Sequence, residues 1–422
     1  MVQMASDIER LYIDEEVRDV FLQAYEEDYE RQSDLACDVV DCGYLLPPVK
    51  CIMDNGDKCY KGGVVDNKGN FVASSRHWRG GISGAMLEGY PFSMSEASFE
   101  DIEVLYGGIL INHFGHFLVE GLSRFWYWVQ NKEKNFDIVF FNPKHKKIIP
   151  QFWEFMEILG IPKNKVHIVS SVTRYRRIYV PEVSHQISTY YHKEFLLPFS
   201  YISSKIAARD SDKIYLSRTK FNNGTLCMGE ELLEKVFKEN GYQILYPEQM
   251  SLKTQISYIK GAKEIAGVIG TATHLEVFAR MGTKSIILER SDTPIKEQAL
   301  IHQAIQANWY SVGANMNPFP IEHSIGPVLL GITENLKRYA NKCGMSINSD
   351  MIGYVKKSYA RKFLKLYMQL YVQKNRNREL SKTAPLTAKR LLALKSAFLS
   401  WRVKIKSLMT VSYTHLRAHE TL

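Results

Sequence analysis

No stretch of 18 or more apolar residues occurs in the 422-residue chain, so no segment spans a bilayer by hydropathy. Cysteine is scarce. The six residues Cys37, Cys42, Cys51, Cys59, Cys227 and Cys343 are too few for a disulfide scaffold, and none forms a C-x-x-C pair. That spacing suits a structural zinc site poorly, and reduced, mostly buried thiols are expected. Low-complexity tracts are lacking too: with 45% hydrophobic and 23% charged residues, a disordered or collagen-like chain is excluded. The opening residues MVQMASDIERLYIDEE hold acids and no apolar core, so no secretory signal is expected and the reading is cytoplasmic.

Charge is uneven along the chain. Residues 1–38 hold 12 acids against 3 Arg, a net of −9. Residues 355–407 hold 15 Lys/Arg against the single acid Glu379, a net of +14. Because the whole chain carries +9, everything else sums to only +4. A near-neutral folded centre argues against nucleic acid as its partner.

Periodicity divides the chain into an acidic helical lead-in (1–38), an N-terminal α/β domain (39–200), a second α/β domain (201–345) and a basic helical extension (346–410). The tail 411–422 resembles a translated sequencing-adapter remnant and is set aside. Strand-like runs at Phe136–Phe141, Val166–Val169, Lys213–Leu216, Tyr242–Tyr246, Glu264–Ile269 and Lys284–Leu288 alternate with helical ones. The helical runs are Ile149–Leu159, Gly229–Asn240, Leu252–Lys260 and Thr273–Met281, with Gly241 and Gly282 as stops. Such alternation predicts parallel sheets covered on both faces. In the extension Val355, Tyr359, Phe363, Leu366 and Leu370 share one helical face, with Lys357, Arg361 and Lys365 opposite. This fits a helix on the cytoplasmic membrane surface, or one packed back on the N-terminal domain.

Three constellations carry candidate chemistry. In Asn112-His113-Phe114-Gly115-His116-Phe117-Leu118-Val119-Glu120, Asn112 is a helix N-cap, and His113, His116, Glu120 and Arg124 then form one stripe. A carboxylate one turn from an imidazole, with an Arg beyond, is a general-base arrangement: Glu120 as base, His116 orienting it, Arg124 holding it or an anionic substrate group. A solvated or internally paired polar stripe is the plain alternative. Metal binding through His113, His116 and Glu120 is a weaker one, since the i, i+4 His pair of a zinc helix is missing. The second constellation is Tyr215-Leu216-Ser217-Arg218-Thr219-Lys220 followed by Gly229-Glu230-Glu231, where Arg218 at the end of a parallel strand suits a diphosphate. The third is Gly270-Thr271-Ala272-Thr273-His274, read as an exposed helix N-terminus offering N–H groups and hydroxyls to an anion.

Taken in order, these three motifs and Gly241-Tyr-Gln-Ile-Leu-Tyr-Pro247-Glu248 resemble bacterial glycosyltransferase family 61 over roughly residues 60–310. The resemblance implies a GT-B fold, two Rossmann-like domains facing a cleft, with an acceptor-side first domain and a nucleotide-sugar-binding second one. It also implies inverting transfer from a nucleotide sugar to a glycan or lipid-linked acceptor in capsular polysaccharide synthesis, without an obligatory metal or other cofactor. By the same analogy Glu120 is the acidic position of the family's helix, and Arg218 and Gly270–His274 lie on the donor side. Ser217, Lys220, Glu230, Thr271 and Thr273 join the donor set. Two other classes stay open: a non-catalytic nucleotide-sugar binder, and a metal-dependent hydrolase.

Overall fold

Runs of Val, Ile, Leu and Phe bounded by Gly and Asn condense into two main sheets, beside two small ones of three and two strands, because β-branched and aromatic side chains pack well on a pleated surface. The computed structural model describes residues 9–52, 58–79, 84–143, 147–221, 227–318 and 327–381, with side chains to Leu370. The basic stretch Lys389–Lys406 and the tail 411–422 lie outside the described residues.

The chain enters at β1 (Leu11–Tyr12) and helix α1 (Arg18–Glu26). The first sheet then forms from β2 (Cys37–Asp41), β3 (Tyr44–Ile52), β4 (Lys58–Val65), β5 (Ser98–Ile109), β6 (Asp137–Phe141), β7 (Val166–Val169) and β8 (Thr173–Pro181). Its order is β4-β3-β8-β5-β6-β7, with β2 also on β8. It is mixed rather than wholly parallel. β5, β6, β7 and β8 run parallel, while β2, β3 and β4 pair antiparallel, so only one flank has the expected doubly wound pattern. Helices α2 (Phe125–Gln130), α3 (Pro150–Leu159) and α4 (Leu197–Ser204) follow from this half.

The second sheet holds β9 (Ser211–Leu216), β10 (Gln243–Leu245), β11 (Ala262–Val268), β12 (Lys284–Glu289) and β13 (Asn308–Gly313). Every pairing is parallel, in the order β10-β9-β11-β12-β13. Helices α5 (Glu230–Glu239), α6 (Leu252–Gly261), α7 (Lys296–Ala304) and α8 (Glu334–Cys343) complete it. Strand order reverses at β9, which opens a crevice between the carboxyl ends of β9 and β11.

Two further expectations change. Among the described residues the acidic lead-in is helical only from Glu15 to Glu26, a 3-10 turn running into α1, and β1 extends the second sheet by pairing in parallel with β13. Leu11, Ile13, Phe21 and Tyr29 are buried there, and Tyr25 stacks on Trp309 at 4.0 Å, so apolar residues interspersed among the acids cover an otherwise open sheet edge. Cys51 and Cys59 form a disulfide: β3 and β4 place them directly opposite one another, a register that linear spacing does not reveal. Cys37, Cys42, Cys227 and Cys343 are free and half-buried.

One apolar cluster runs through both halves, from Leu105 and Phe117 through Phe152, Phe155 and Phe199 to Phe278, Ile256 and Leu216. Phe278 meets Phe199 at 5.3 Å and Phe155 at 6.1 Å between ring centroids. The sheets thus share a helical layer, and the two halves are fused by it. Helix α9 (Lys357–Ser381) packs back on the second half, not the first: Phe363 is fully buried against Met228 and Leu329. Among the described residues no helix is long and apolar enough to cross a membrane.

Candidate functional site

At the carboxyl end of β5 the chain passes Asn112 and starts a helix at Phe114. Asn112 is not its cap. His113 occupies the N-cap position without a side-chain bond, and the Asn112 amide instead donates to Asn142 Oδ1 at 3.3 Å. Phe114–His116 is α-helical, but Phe117–Gly121 widens into a π-helical turn, and regular helix resumes only at Phe125. The wider turn shifts the helical phase, so the polar stripe ends at Glu120 and Arg124 faces elsewhere.

The Glu120 carboxylate is buried and gripped from three sides. Arg79 donates from Nε to Oε1 at 2.8 Å and from Nη2 to Oε2 at 3.1 Å. His116 Nδ1 lies 2.7 Å from Oε2, and His77 Nε2 lies 3.8 Å from Oε1. Burial alone would raise the Glu120 pKa, but the His116 hydrogen bond and the Arg79 guanidinium outweigh it and hold it at about 2. His77 goes the other way: burial brings it down to about 4 against the pull of Glu120, so its ring is neutral at neutral pH. Because the folded carboxyl is depressed, its contribution to stability is complete above the ordinary carboxylate range and is lost as pH falls toward 2.

This arrangement bears on which of Glu120 and His116 could accept a proton. A permanently ionised carboxylate tied to a guanidinium is a weak proton acceptor. It is, however, a good orienter: His116 Nδ1 lies 2.7 Å from Oε2 and 3.1 Å from Arg79 Nη2, and the shorter contact, to an ionised acceptor, favours the tautomer with hydrogen on Nδ1, in which Nε2 of that half-exposed ring is the basic atom. His113 is exposed beside it, with ring centroids 5.1 Å apart.

Arg124 is 3% exposed and does not touch Glu120. Its guanidinium donates to the carbonyls of Ser74 at 2.7 Å, Arg76 at 2.8 Å and Pro181, and lies over the Tyr106 ring. It therefore fastens the segment that carries His77 and Arg79. Arg124→Met should destabilise the fold by about 1–3 kcal/mol for each carbonyl left without a donor. A lowered denaturant midpoint is the readout, and an unchanged midpoint would contradict this fastening.

Across from this helix sits the β9/β11 crevice. A Cβ on Gly115 would stand 2.8 Å from Thr271 Oγ1, so helix backbone and loop are in direct contact. A Cβ on Gly270 would stand 2.7 Å from Arg218 Nη1 and 3.8 Å from Arg290 Nη1, so two guanidiniums converge on this turn. Burial first, then the Arg218 charge, lowers the Arg290 pKa. Arg218 Nη1 is buried with no hydrogen-bond partner among the described residues. Glu230 is buried, pushed up to about 7 by that burial, and accepts the Arg218 backbone N–H at 2.9 Å. Ser217 is fully buried and bonds Thr219 and Glu234, while exposed Lys220 lies over the Tyr246 ring at 5.8 Å.

The turn at Gly270 is not the open helix end expected. Thr273–Phe278 is a buried six-residue 3-10 helix, and the Thr273 hydroxyl turns inward to Gly270 O and Gln298 Oε1, both at 2.8 Å. His274 bonds Gln298 at 3.1 Å. Its pKa is lowered by burial first, with the charges of His116 and Arg290 acting in the same direction. Thr271 is half-exposed, with its hydroxyl against Gly115 at the helix contact.

Residues 114–286 match the Glycosyltransferase 61 family. No curated protein matches the chain. The Glycosyltransferase 61 stretch contains His116, Glu120, Arg218 and the Gly270–His274 turn, but neither Arg79 nor Arg290. Those two, with His77, are the site residues that sequence reasoning missed. A signal existed for both arginines. His77 and Arg79 are two apart in the sequence, a spacing that puts both on one face wherever the chain is extended, and Arg290 follows a parallel strand much as Arg218 does.

Metal ligation through His113, His116 and Glu120 finds no support in this geometry: both Glu120 oxygens already accept from cationic or ring N–H groups, and a cation there would face Arg79. Among the described residues no group of three His, Cys, Asp or Glu is placed to hold an ion.

Within the Glycosyltransferase 61 stretch, Gly115→Ala should force helix and loop apart and lower kcat/KM. Thr271→Ala in the same chain should restore it, because the nearest remaining atom, Thr271 Cβ, stands 3.3 Å away. Full activity in the single variant would show that this contact does not set the site.

Proposed function

We propose that this protein is a glycosyltransferase that moves a sugar from a nucleotide-sugar donor to an acceptor hydroxyl. The observation that carries the reading is the contact of Gly115 with Thr271, which sets a His116–Glu120 pair against a turn where Arg218 and Arg290 converge. The match to Glycosyltransferase 61 over residues 114–286 supports it.

In the proposed reaction the acceptor oxygen attacks the anomeric carbon while the bond from that carbon to the diphosphate oxygen breaks. The acceptor proton passes to His116 Nε2. Glu120 stabilises the imidazolium that forms, and Arg79 keeps the carboxylate ionised. The diphosphate leaves with its charge met by Arg218 and Arg290. A single displacement of this kind inverts the anomeric centre and needs no metal where guanidiniums neutralise the leaving group. Trp78, 43% exposed between His77 and Arg79, offers an apolar ring for the C–H face of an acceptor sugar. The same reading takes the two sheets as a GT-B-like pair and a glycan or lipid-linked sugar of capsule or exopolysaccharide assembly as acceptor.

A thermal-shift screen over nucleoside diphosphates and nucleotide sugars, with and without chelator, followed by a donor-turnover assay on the hits, tests this. Stabilisation by one nucleotide class with chelator-insensitive turnover is expected. Binding without turnover on any acceptor would favour the non-catalytic binder, and chelator-sensitive hydrolysis would favour the metal hydrolase.

A further inference from the structure

Behind the Gly270 turn lies a set of polar side chains that the proposed reaction does not use. Glu276 on the 3-10 helix, Ser285 on β12, and Gln298 and His302 on α7 are each at most 1% exposed. Ser285 Oγ donates to Glu276 Oε2 at 2.8 Å, and His302 Nε2 lies 2.9 Å from the same oxygen and 3.0 Å from Gln298 Nε2. Gln298 Nε2 donates to Glu276 Oε2 at 3.1 Å and faces the Thr273 carbonyl at 3.5 Å. Buried groups that bond one another rigidify whatever they hold. These hold the turn.

The two ends of the Gln298 amide differ in what faces them. A carboxylate oxygen and a carbonyl oxygen only accept, which assigns the amide nitrogen to their end and Oε1 to the other. Oε1 lies 2.8 Å from Thr273 Oγ1 and 3.1 Å from His274 Nδ1. An amide oxygen accepts as well, so the hydrogen of a neutral His274 ring belongs on Nδ1 and the lone pair on Nε2. Burial lowers the His274 pKa, which keeps the ring neutral at neutral pH. The ring is 9% exposed, and among the described residues nothing bonds its Nε2. It belongs to the turn on which Arg218 and Arg290 converge, within reach of the His116 charge.

We infer that Gln298 is a positioning residue: by holding His274 in the Nδ1–H form it makes Nε2 an acceptor for a hydroxyl of the sugar in a bound nucleotide sugar. A lone pair suits an O–H and not a phosphate oxygen, which itself only accepts. The phosphates are left to the two guanidiniums. The ligand rests on the function proposed above, whereas the hold on the ring does not. Gln298 lies outside the matched residues 114–286.

The test starts from the unliganded full chain, isotope-labelled in its histidine rings. Ring-nitrogen NMR at mildly alkaline pH should show His274 with its hydrogen on Nδ1, the signal being assigned by its loss in His274→Phe. In Gln298→Met no acceptor faces Nδ1, and the Nε2–H form should take over. Nucleotide-sugar affinity should then fall about 10-fold, the fold-change for one neutral hydrogen bond, with nucleoside-diphosphate affinity unchanged. Combining Gln298→Met with His274→Phe should weaken nucleotide-sugar binding no further than His274→Phe alone. Gln298→Asn, one methylene too short to span from His274 to Glu276, carries the same expectations if Gln298→Met does not fold. Hydrogen on Nε2 in the parent, or an unchanged His274 ring in the Gln298 variants, would overturn the inference. Equal losses of nucleotide-sugar and nucleoside-diphosphate affinity would overturn it too, because Gln298 would then merely support the backbone of the turn. If the parent binds no nucleotide sugar, the proposed function and the ligand named here fall together, while the ring spectra still decide whether Gln298 holds His274.

Discussion

Replacing His116 with Ala is expected to lower turnover by about 10²–10⁴-fold, the usual worth of a positioned general base, while leaving nucleotide affinity intact. The size follows from the geometry: with Nδ1 turned to Oε2 at 2.7 Å and both carboxylate oxygens also held by Arg79, Nε2 of the half-exposed His116 ring is the atom placed to take the proton in the proposed reaction. Added imidazole should restore part of the rate in His116→Ala. Glu120→Gln should also be slow, because an amide can donate to the ring and favour the wrong tautomer, but imidazole should not rescue it. If Glu120 were itself the base, His116→Ala would keep most of its turnover, and that result would sink the assignment. The pH profile offers an independent check. With Glu120 held at about 2, kcat/KM should show no limb from this carboxylate at any pH where the protein is normally assayed.

Arg218→Ala is expected to weaken nucleoside-diphosphate binding by about 10–150-fold, the worth of one hydrogen bond to a charged group at about 1.5–3 kcal/mol. The same substitution should not lower the stability of the unliganded protein. Arg218 and Arg290 converge on Gly270, and Arg218 disfavours the charged form of Arg290, so removing one guanidinium relieves a like-charge contact. Affinity and stability should therefore move in different directions, which separates a ligand-binding arginine from a structural one. Arg124 provides the contrast, since its loss should cost stability first. Calorimetry showing unchanged affinity in Arg218→Ala, or a melt several degrees below the parent, would remove Arg218 from the site.

Much of the second half was legible in the linear chain. The runs Lys213–Leu216, Glu264–Ile269 and Lys284–Leu288 lie within a residue or two of β9, β11 and β12, because a parallel sheet covered on both faces demands continuous apolar strands between helices. Glu120, His116, Arg218 and Gly270 were legible for a similar reason: each sits at the carboxyl end of a strand or on the helix just after one, where the pattern changes from apolar to polar over a few residues.

What the chain order concealed depends on distance in sequence. Arg79 is 41 residues from Glu120, and the segment just before it is pinned by Arg124 through the Ser74 and Arg76 carbonyls. A regular helix would have carried Arg124 onto the Glu120 stripe, but the π-helical turn rotates it away, a backbone choice made by tertiary packing of Phe117 and Leu118 rather than by propensity. The same holds for β1, whose two residues have no strand signal of their own and acquire it from the open edge of β13. By itself, then, the amino-acid order determined which segments become the parallel strands and which short motifs carry chemistry, since both are local patterns of apolar and polar residues. Only the tertiary structure decided that Arg79 rather than Arg124 pairs with Glu120, and that Arg124 instead holds backbone carbonyls, because pairing depends on burial and neighbours that no local pattern contains.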